Sequence, residues 1–202
     1  MKNEHKILLL TKSDDPELLE IFTKSFSKEP HMPILCENPN ATIIVIKNLL
    51  FVYGNIKNTI RYGIKENNKL VCASFNIDSS VNHSVLIGFR FILSLFRASG
   101  FKGIGLRCIK EFLLTRKEKP ALEGNYLEIL LIGTFPECQK KGFGKEMLQF
   151  LYKEVKRRNY RGLIGFTRAD RPAFQLYMKH GWIVDKEFII KDKKFCWIRF
   201  IV

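Results

Sequence analysis

The segment "ECQKKGFGKEM", Glu137 to Met147, places two glycines one residue apart after an apolar run and at the start of an amphipathic one. Glycine-rich turns of this kind can hold phosphate groups. A helix begins with N–H groups that have no intrahelical acceptor and that sit at the positive end of the helix dipole. Two known phosphate patterns fail on required residues. A dinucleotide fingerprint needs a third glycine three positions after Gly144, where the chain has Met147. A Walker loop needs glycine at position 139 and Ser or Thr after the Gly-Lys pair, where Gln139 and Glu146 stand. What remains is Gln-x-x-Gly-x-Gly. The N–H groups of Lys141, Gly142, Phe143, Gly144 and Lys145 would converge on an anion such as a diphosphate, and glycine at 142 and 144 removes the Cβ atoms that would hold its oxygens off.

Three more residues bear on chemistry. Glu128 lies in the apolar run "YLEILLIG", where burial disfavours a charged carboxylate and suits it to general-base work near neutral pH. A strand residue facing solvent, or one paired with a lysine, accounts for the position equally well. Tyr177 projects from a predicted helix after "TRADRP"; packing between helix and sheet is its ordinary role. Cys138 has no histidine near it in sequence, which argues against a nucleophile.

The elements that must position these residues read as follows. "KILLL" is a short buried strand, and "SDDPELLEIFTKSF" a helix with Ser13 or Asp14 as N-cap and Leu18, Leu19, Phe22 and Phe26 at helical spacing. After the proline-punctuated loop "HMPILCENPN", the β-branched run of "ATIIVIKNLLFVYGNIK" favours strand and its length favours helix, the reading preferred here, and "TIRYGIKENNKLVCASFNID" reads as an antiparallel hairpin. Residues 79 to 124 suggest two helices joined by "SGFKGIG". They form either a helical hairpin on the core or a basic amphipathic lid over a binding site or against a membrane surface. "NYLEILLIGTF" is a strand, and the following helix carries Phe143, Met147, Leu151 and Val155 along one face. "RGLIGFTR" is a strand, "DRPAFQLYMKHG" a helix stopped by Gly181, and "WIVDKEFII", "KDKK" and "FCWIRFIV" a closing hairpin. This order predicts an α/β or α+β domain with a mixed sheet.

"LLIGTFPECQKKGFGKEML" resembles the acyl-CoA-binding motif of the GNAT superfamily of N-acetyltransferases: a strand, a proline-containing loop, then [Gln/Arg]-x-x-Gly-x-[Gly/Ala] opening a long helix. "TRADRPAFQLYMKHGW" resembles the family's next element, with Ala173, Tyr177, Gly181 and Trp182 in register. Asp170 stands where asparagine is common, adding negative charge, and Lys140 where glycine often sits, adding a cation. The resemblance is sharp from about Asn125 to Trp182. It implies a GNAT-like, mostly antiparallel central sheet flanked by helices, in a single domain over residues 1–202 with an acyl-CoA-binding core over about 125–182.

It also implies acetyl-CoA as cosubstrate and no metal. The diphosphate would lie on Gln139, Lys140, Lys141, Gly142, Phe143, Gly144 and Lys145, near Asp170. The backbone of Ile132, Gly133 and Thr134 would pair with the pantetheine arm and polarise the acyl carbonyl, and Pro136, which lacks an N–H, would end strand pairing just beyond. Glu128, eleven residues before Gln139, matches a glutamate that some members use as general base. Tyr177 matches a tyrosine that commonly protonates the CoA sulfur. The expected activity is direct acetyl transfer to a primary amine on a small molecule or peptide.

Bulk properties bound these readings. The chain has 202 residues, 46% of them hydrophobic, enough for one full core. Its formal net charge of +14 points to an anionic partner, which nucleic acid, an anionic membrane or a phosphorylated cosubstrate would each satisfy. That charge disfavours a polyamine acceptor. Five scattered cysteines and four dispersed histidines give neither a disulfide framework nor a metal site, and suit a reducing, cytoplasmic compartment. The first apolar run is too short for a signal peptide, and the longest, 85 to 96, is broken by Arg90 and falls short of the ~20 residues of a membrane span. A homodimer is a possible assembly. Two competing classes stay open: an acyl-CoA-binding domain without catalysis, and a basic nucleic-acid or membrane-surface binder using "KEVKRRNYR". The latter run lacks the aromatic interleaving of a single-strand platform, so no nucleic acid is expected.

Overall fold

The computed structural model describes residues 5–27, 39–79, 89–95 and 104–202. Strand β1 (Ile7–Leu10) precedes helices α1 (Asp15–Ser27) and α2 (Pro39–Tyr53) and strands β2 (Thr59–Glu66) and β3 (Lys69–Asp78). Helices α3 (89–95) and α4 (Ile104–Lys117) lead to strand β4 (Tyr126–Thr134), helix α5 (Phe143–Arg157) and strand β5 (Gly162–Arg168). Helix α6 (Pro172–Lys179) and strands β6 (Ile183–Ile190) and β7 (Lys193–Ile201) close the chain. Most of the expected loop "HMPILCENPN" and most of the joint "SGFKGIG" lie outside the described residues.

The seven strands form one sheet in the order β1-β2-β3-β4-β5-β7-β6. Only β4 and β5 run parallel, with α5 as the crossover between them. The mixed, mostly antiparallel sheet flanked by helices is thus observed. Both hairpins turn on two residues with positive φ, Asn67 and Asn68 (51° and 60°) and Lys191 and Asp192 (46° and 61°). That is the turn whose twist matches the strands it joins.

Helices cover both faces. A Cβ placed on Gly133 would stand 2.9 Å from Ser25 Oγ and 3.1 Å from Phe22 Cδ1, so this face of β4 lies against α1. The neighbouring Thr134 points the other way, toward Gly144 at the start of α5, as strand alternation requires. Helix α1 buries Leu18, Ile21, Phe22 and Phe26, and α5 buries Phe143, Met147, Leu151 and Val155, the expected stripe. Each such side chain contributes about 1.5–3 kcal/mol by leaving water.

Two local expectations are corrected. Strand β1 is not a buried strand: it pairs only with β2, Leu10 alone is buried, and Leu9 is 65% exposed. An apolar run at a sheet edge has one neighbour, so its outward side chains stay wet. The start of α1 is set by neither Ser13 nor Asp14 as N-cap. A 3-10 turn, Lys12–Asp14, comes first with Thr11 as its cap, and the Thr11 N–H donates to Asp14 Oδ2 at 2.7 Å.

The basic end of α5 is internally compensated. Glu154, 8% exposed, accepts from Arg157 at 2.7 and 2.8 Å, from Arg158 at 3.1 Å and from the Tyr62 hydroxyl at 2.7 Å. These donors, Arg157 foremost, hold its carboxyl down at about 2, from an ordinary 4.5. A folded-state value below the unfolded one means that the stabilisation is present above pH 4.5 and disappears as pH falls through 2. Glu154→Gln is therefore expected to lower the melting temperature at pH 7 by about 5 °C. The difference from wild type should close progressively below pH 4.5 in acid melts followed by circular dichroism.

Candidate active site

Strands β4 and β5 pair only from Tyr126 with Gly162 to Ile129 with Gly165. Beyond that point β4 stays with β3, as far as Thr134 opposite Cys72, and β5 stays with β7, as far as Arg168 opposite Phe195. A bulge at Phe75 and Asn76 leaves Leu130 without a partner on β3, just where the two strands part. The Phe135 N–H donates to Val71 O at 3.0 Å. Alternation along an antiparallel ladder then turns the N–H and C=O groups of Thr134 and Ile132 away from β3, into the gap. Thr134 O accepts from Ser25 Oγ at 2.8 Å and from Gln139 Nε2 at 3.3 Å. The N–H groups of both residues face the opening, a free strand edge that an extended ligand can extend.

The glycine loop stands at the mouth of this gap. Strand pairing stops as expected at Pro136, which opens a 3-10 turn through Cys138. Lys140 and Gly142 then take left-handed backbone (φ 64° and 99°), and α5 begins at Phe143 with Gly142 as N-cap. The first bond of the helix runs from the Glu146 N–H to Gly142 O at 3.0 Å. The six preceding N–H groups, Lys140 to Lys145, donate to nothing among the described residues. A Cβ on Gly142 would meet no atom within 4 Å, and one on Gly144 only Thr134 Oγ1 at 3.9 Å. Protein packing therefore leaves the space over both glycines open. Gln139, Lys140, Lys141 and Lys145 are exposed, while the Phe143 side chain is buried, so Phe143 offers the site only its N–H.

Between the parted strands lies a cavity that passes from one face of the sheet to the other. On the α1 and α2 side it is walled by Phe26, Val45, Ile46 and Leu49, and on the α6 side by Tyr177. Residues 129–132 and 165–167 form its edges. The Tyr177 ring packs on Trp182, with centroids 4.7 Å apart, and its hydroxyl bonds to nothing among the described residues. Burial raises the Tyr177 hydroxyl well above the ordinary tyrosine range, so it is a neutral proton carrier at physiological pH. Thr167, 1% exposed, also lines the cavity with its Oγ1 unpartnered. A polar side chain closing the apolar run "GLIGF" is the signal in the sequence that could mark it, as burial in an apolar run marks Glu128.

Glu128 is buried in an ion pair with Lys119, whose ammonium also lies 5.5 Å from the centre of the Trp197 ring. It is not among the residues lining the cavity; the next residue, Ile129, is. The lysine-paired alternative describes its surroundings. Asp170 accepts from Arg168 Nε at 3.0 Å and lies 3.9 Å from Arg171 Nε. The hydrogen bond from Arg168 holds its carboxyl below the usual range, and the two arginines compensate the negative charge expected there. Cys138 is buried and free.

This arrangement has counterparts. Residues 103–182 match the model of the acetyltransferase (GNAT) family. The ribosomal-protein-S18-alanine N-acetyltransferase from Escherichia coli superposes with a TM-score of 0.59 at 13% identity, over 98% of this chain and 94% of that one. The PaiA N-acetyltransferase from Thermoplasma acidophilum, solved in complex with coenzyme A, gives 0.59 at 13% identity over 98% of both chains. The chain has a GNAT fold. No curated protein matches it in sequence. In this fold part of the edge of β4 and Tyr177 line one cavity, the glycine loop adjoins Thr134 at the end of that edge, and Glu128 is not among the lining residues. Among the described residues no His, Cys, Asp and Glu cluster could hold a metal, and no helix is long and apolar enough to cross a membrane.

The open space over Gly144 gives a direct test of the loop. Gly144→Val should leave the free protein's melting temperature within about 2 °C, because its Cβ would stand 3.9 Å from the nearest atom, Thr134 Oγ1. It should weaken coenzyme A binding at least about tenfold in calorimetric titration. Unchanged affinity would remove the loop from ligand binding.

Proposed function

We propose that the chain is an acetyl-CoA-dependent N-acetyltransferase that acetylates a primary amine by direct transfer. The observation that carries this reading is the parting of β4 from β5 beneath a helix start with six unbonded N–H groups. The diphosphate of acetyl-CoA fits those N–H groups, with Lys140, Lys141 and Lys145 as counter-charges and Gln139 braced on Thr134 O. The pantetheine arm follows the free edge of β4 at Ile132, Gly133 and Thr134. The N–H groups of Ile132 and Thr134 provide the ligand contacts, because alternation turns Gly133 toward β3. The orphaned Thr167 hydroxyl offers a further polar contact in the same gap.

The amine nitrogen attacks the thioester carbon, a C–N bond forms and the C–S bond breaks. The electron pair leaves on sulfur, which takes the proton of Tyr177. Burial keeps the phenol protonated until the thiolate forms beside it, and water returns a proton to the Tyr177 oxygen as the products leave. The proton shed by the amine passes through water to Glu128, the nearest carboxylate along β4, with Lys119 holding its position. The acceptor is a small molecule or a peptide amine.

The Lys119–Glu128 pair favours a second reading, a GNAT domain that binds acyl-CoA without transfer. A nucleic-acid role gains less support, since Arg157 and Arg158 are engaged by Glu154. A coenzyme A release assay across amino acids, amino sugars, aryl amines, polyamines and peptides separates these readings; binding of acetyl-CoA with no turnover selects the second. Tyr177→Phe should lower kcat about tenfold or more with the KM for acetyl-CoA and the melting temperature unchanged. Full turnover would take Tyr177 out of the acid role. Glu128→Gln should lower kcat while acetyl-CoA affinity holds, whereas activity that falls only in step with stability marks a structural residue.

A further inference from the structure

The cavity has two unlike sides. Tyr177 lies on the α6 side, and Phe26, Val45, Ile46 and Leu49 form an aliphatic and aromatic wall on the α1 and α2 side. If sulfur takes its proton from the first side, the nucleophile reaches the carbonyl carbon from the second. We propose that the acceptor is a primary amine carried on an apolar body, an alkyl or arylalkyl amine, with that body seated against Phe26, Val45, Ile46 and Leu49. This rests on the acetyltransferase reading and adds the class of acceptor to it.

The wall also bears on the protonation state of the amine. An ammonium ion moved next to aliphatic side chains loses hydration that they do not replace, so the neutral form is favoured there. The proton is released to water before attack, and the lone pair needed for the C–N bond is exposed by the wall itself. That matters in a site where Glu128 is paired with Lys119 and does not line the cavity. A second ammonium or a carboxylate close to the reacting amine would have to enter the same apolar space unpaired, which sets polyamines and free amino acids at a disadvantage.

The test uses the full chain, acetyl-CoA and a graded series of amines. From propylamine to hexylamine, kcat/KM should rise about three- to fourfold for each added methylene, the transfer value of a buried CH2 group. Hexylamine and 2-phenylethylamine should exceed 1,4-diaminobutane and glutamate by about a hundredfold or more. Leu49→Phe, which fills the wall, should flatten the series beyond butylamine while acetyl-CoA affinity stays at the wild-type value; Ile46→Val offers a milder change of volume if Leu49→Phe folds poorly. A flat series, a preference for the diamine or amino acid, or acetyl-CoA binding without turnover of any amine overturns the proposal. So does a tenfold preference for hexanoyl-CoA over acetyl-CoA that Leu49→Phe abolishes, since the wall would then hold the acyl chain. Failure to bind acetyl-CoA at all would instead overturn the acetyltransferase reading beneath it, and this proposal with it.

Discussion

Backbone amides inside a sheet must find partners, and the separation of β4 from β5 leaves a set of them unsatisfied where a ligand can reach. The two strands pair for four residues and then each follows its outer neighbour, β3 on one side and β7 on the other. Those outer ladders are antiparallel and run on to the ends of β4 and β5, so the gap is held open by pairing on both flanks rather than by a loose edge. The bulge at Leu130 helps by changing the register of β4 at the point of divergence. The place of the glycine loop, the position of the cavity and the access of Tyr177 to it all depend on this one divergence.

Charge is distributed to suit the same geometry. The formal excess of +14 overstates the positive charge on offer, because several arginines are already engaged: two by Glu154, Arg168 by Asp170, Arg61 by Asp15 at 3.0 Å and Arg199 by Asp185 at 2.8 Å. The lysines of the glycine loop, by contrast, are exposed beside six unbonded N–H groups. Glu146 in the first turn of α5 is held by His5, which donates its N–H to Oε1 at 2.9 Å, so this carboxylate is turned to the N-terminal strand.

Local order was legible in the residues, and long-range order was not. The stripe of Phe143, Met147, Leu151 and Val155, the paired turn residues at 67–68 and 191–192, and the Pro136 stop each follow from a few neighbouring side chains. The motif around Gly142 and Gly144 marked an anion cradle for the same reason. The parting of β4 and β5 depends on registers with β3 and β7, residues dozens of positions away, and no window of sequence contains it. The partner of Glu128 was equally hidden: Lys119 is one lysine among many, and only the path from α4 into β4 brings it to the carboxylate. Strand β1 reads as buried in the sequence because an apolar tetrad looks the same in the middle of a sheet as at its edge.

Gly133 shows what a missing side chain can set. With no Cβ at that position, Ser25 comes close enough to donate to the carbonyl of the next residue, Thr134, at 2.8 Å. Helix α1 carries one wall of the cavity at Phe26, and β4 carries the amide edge, so this contact works as a spacer between the two halves of the site. Loops around the opening can then vary in length or composition without altering how far the wall at Phe26 stands from the amide edge of β4.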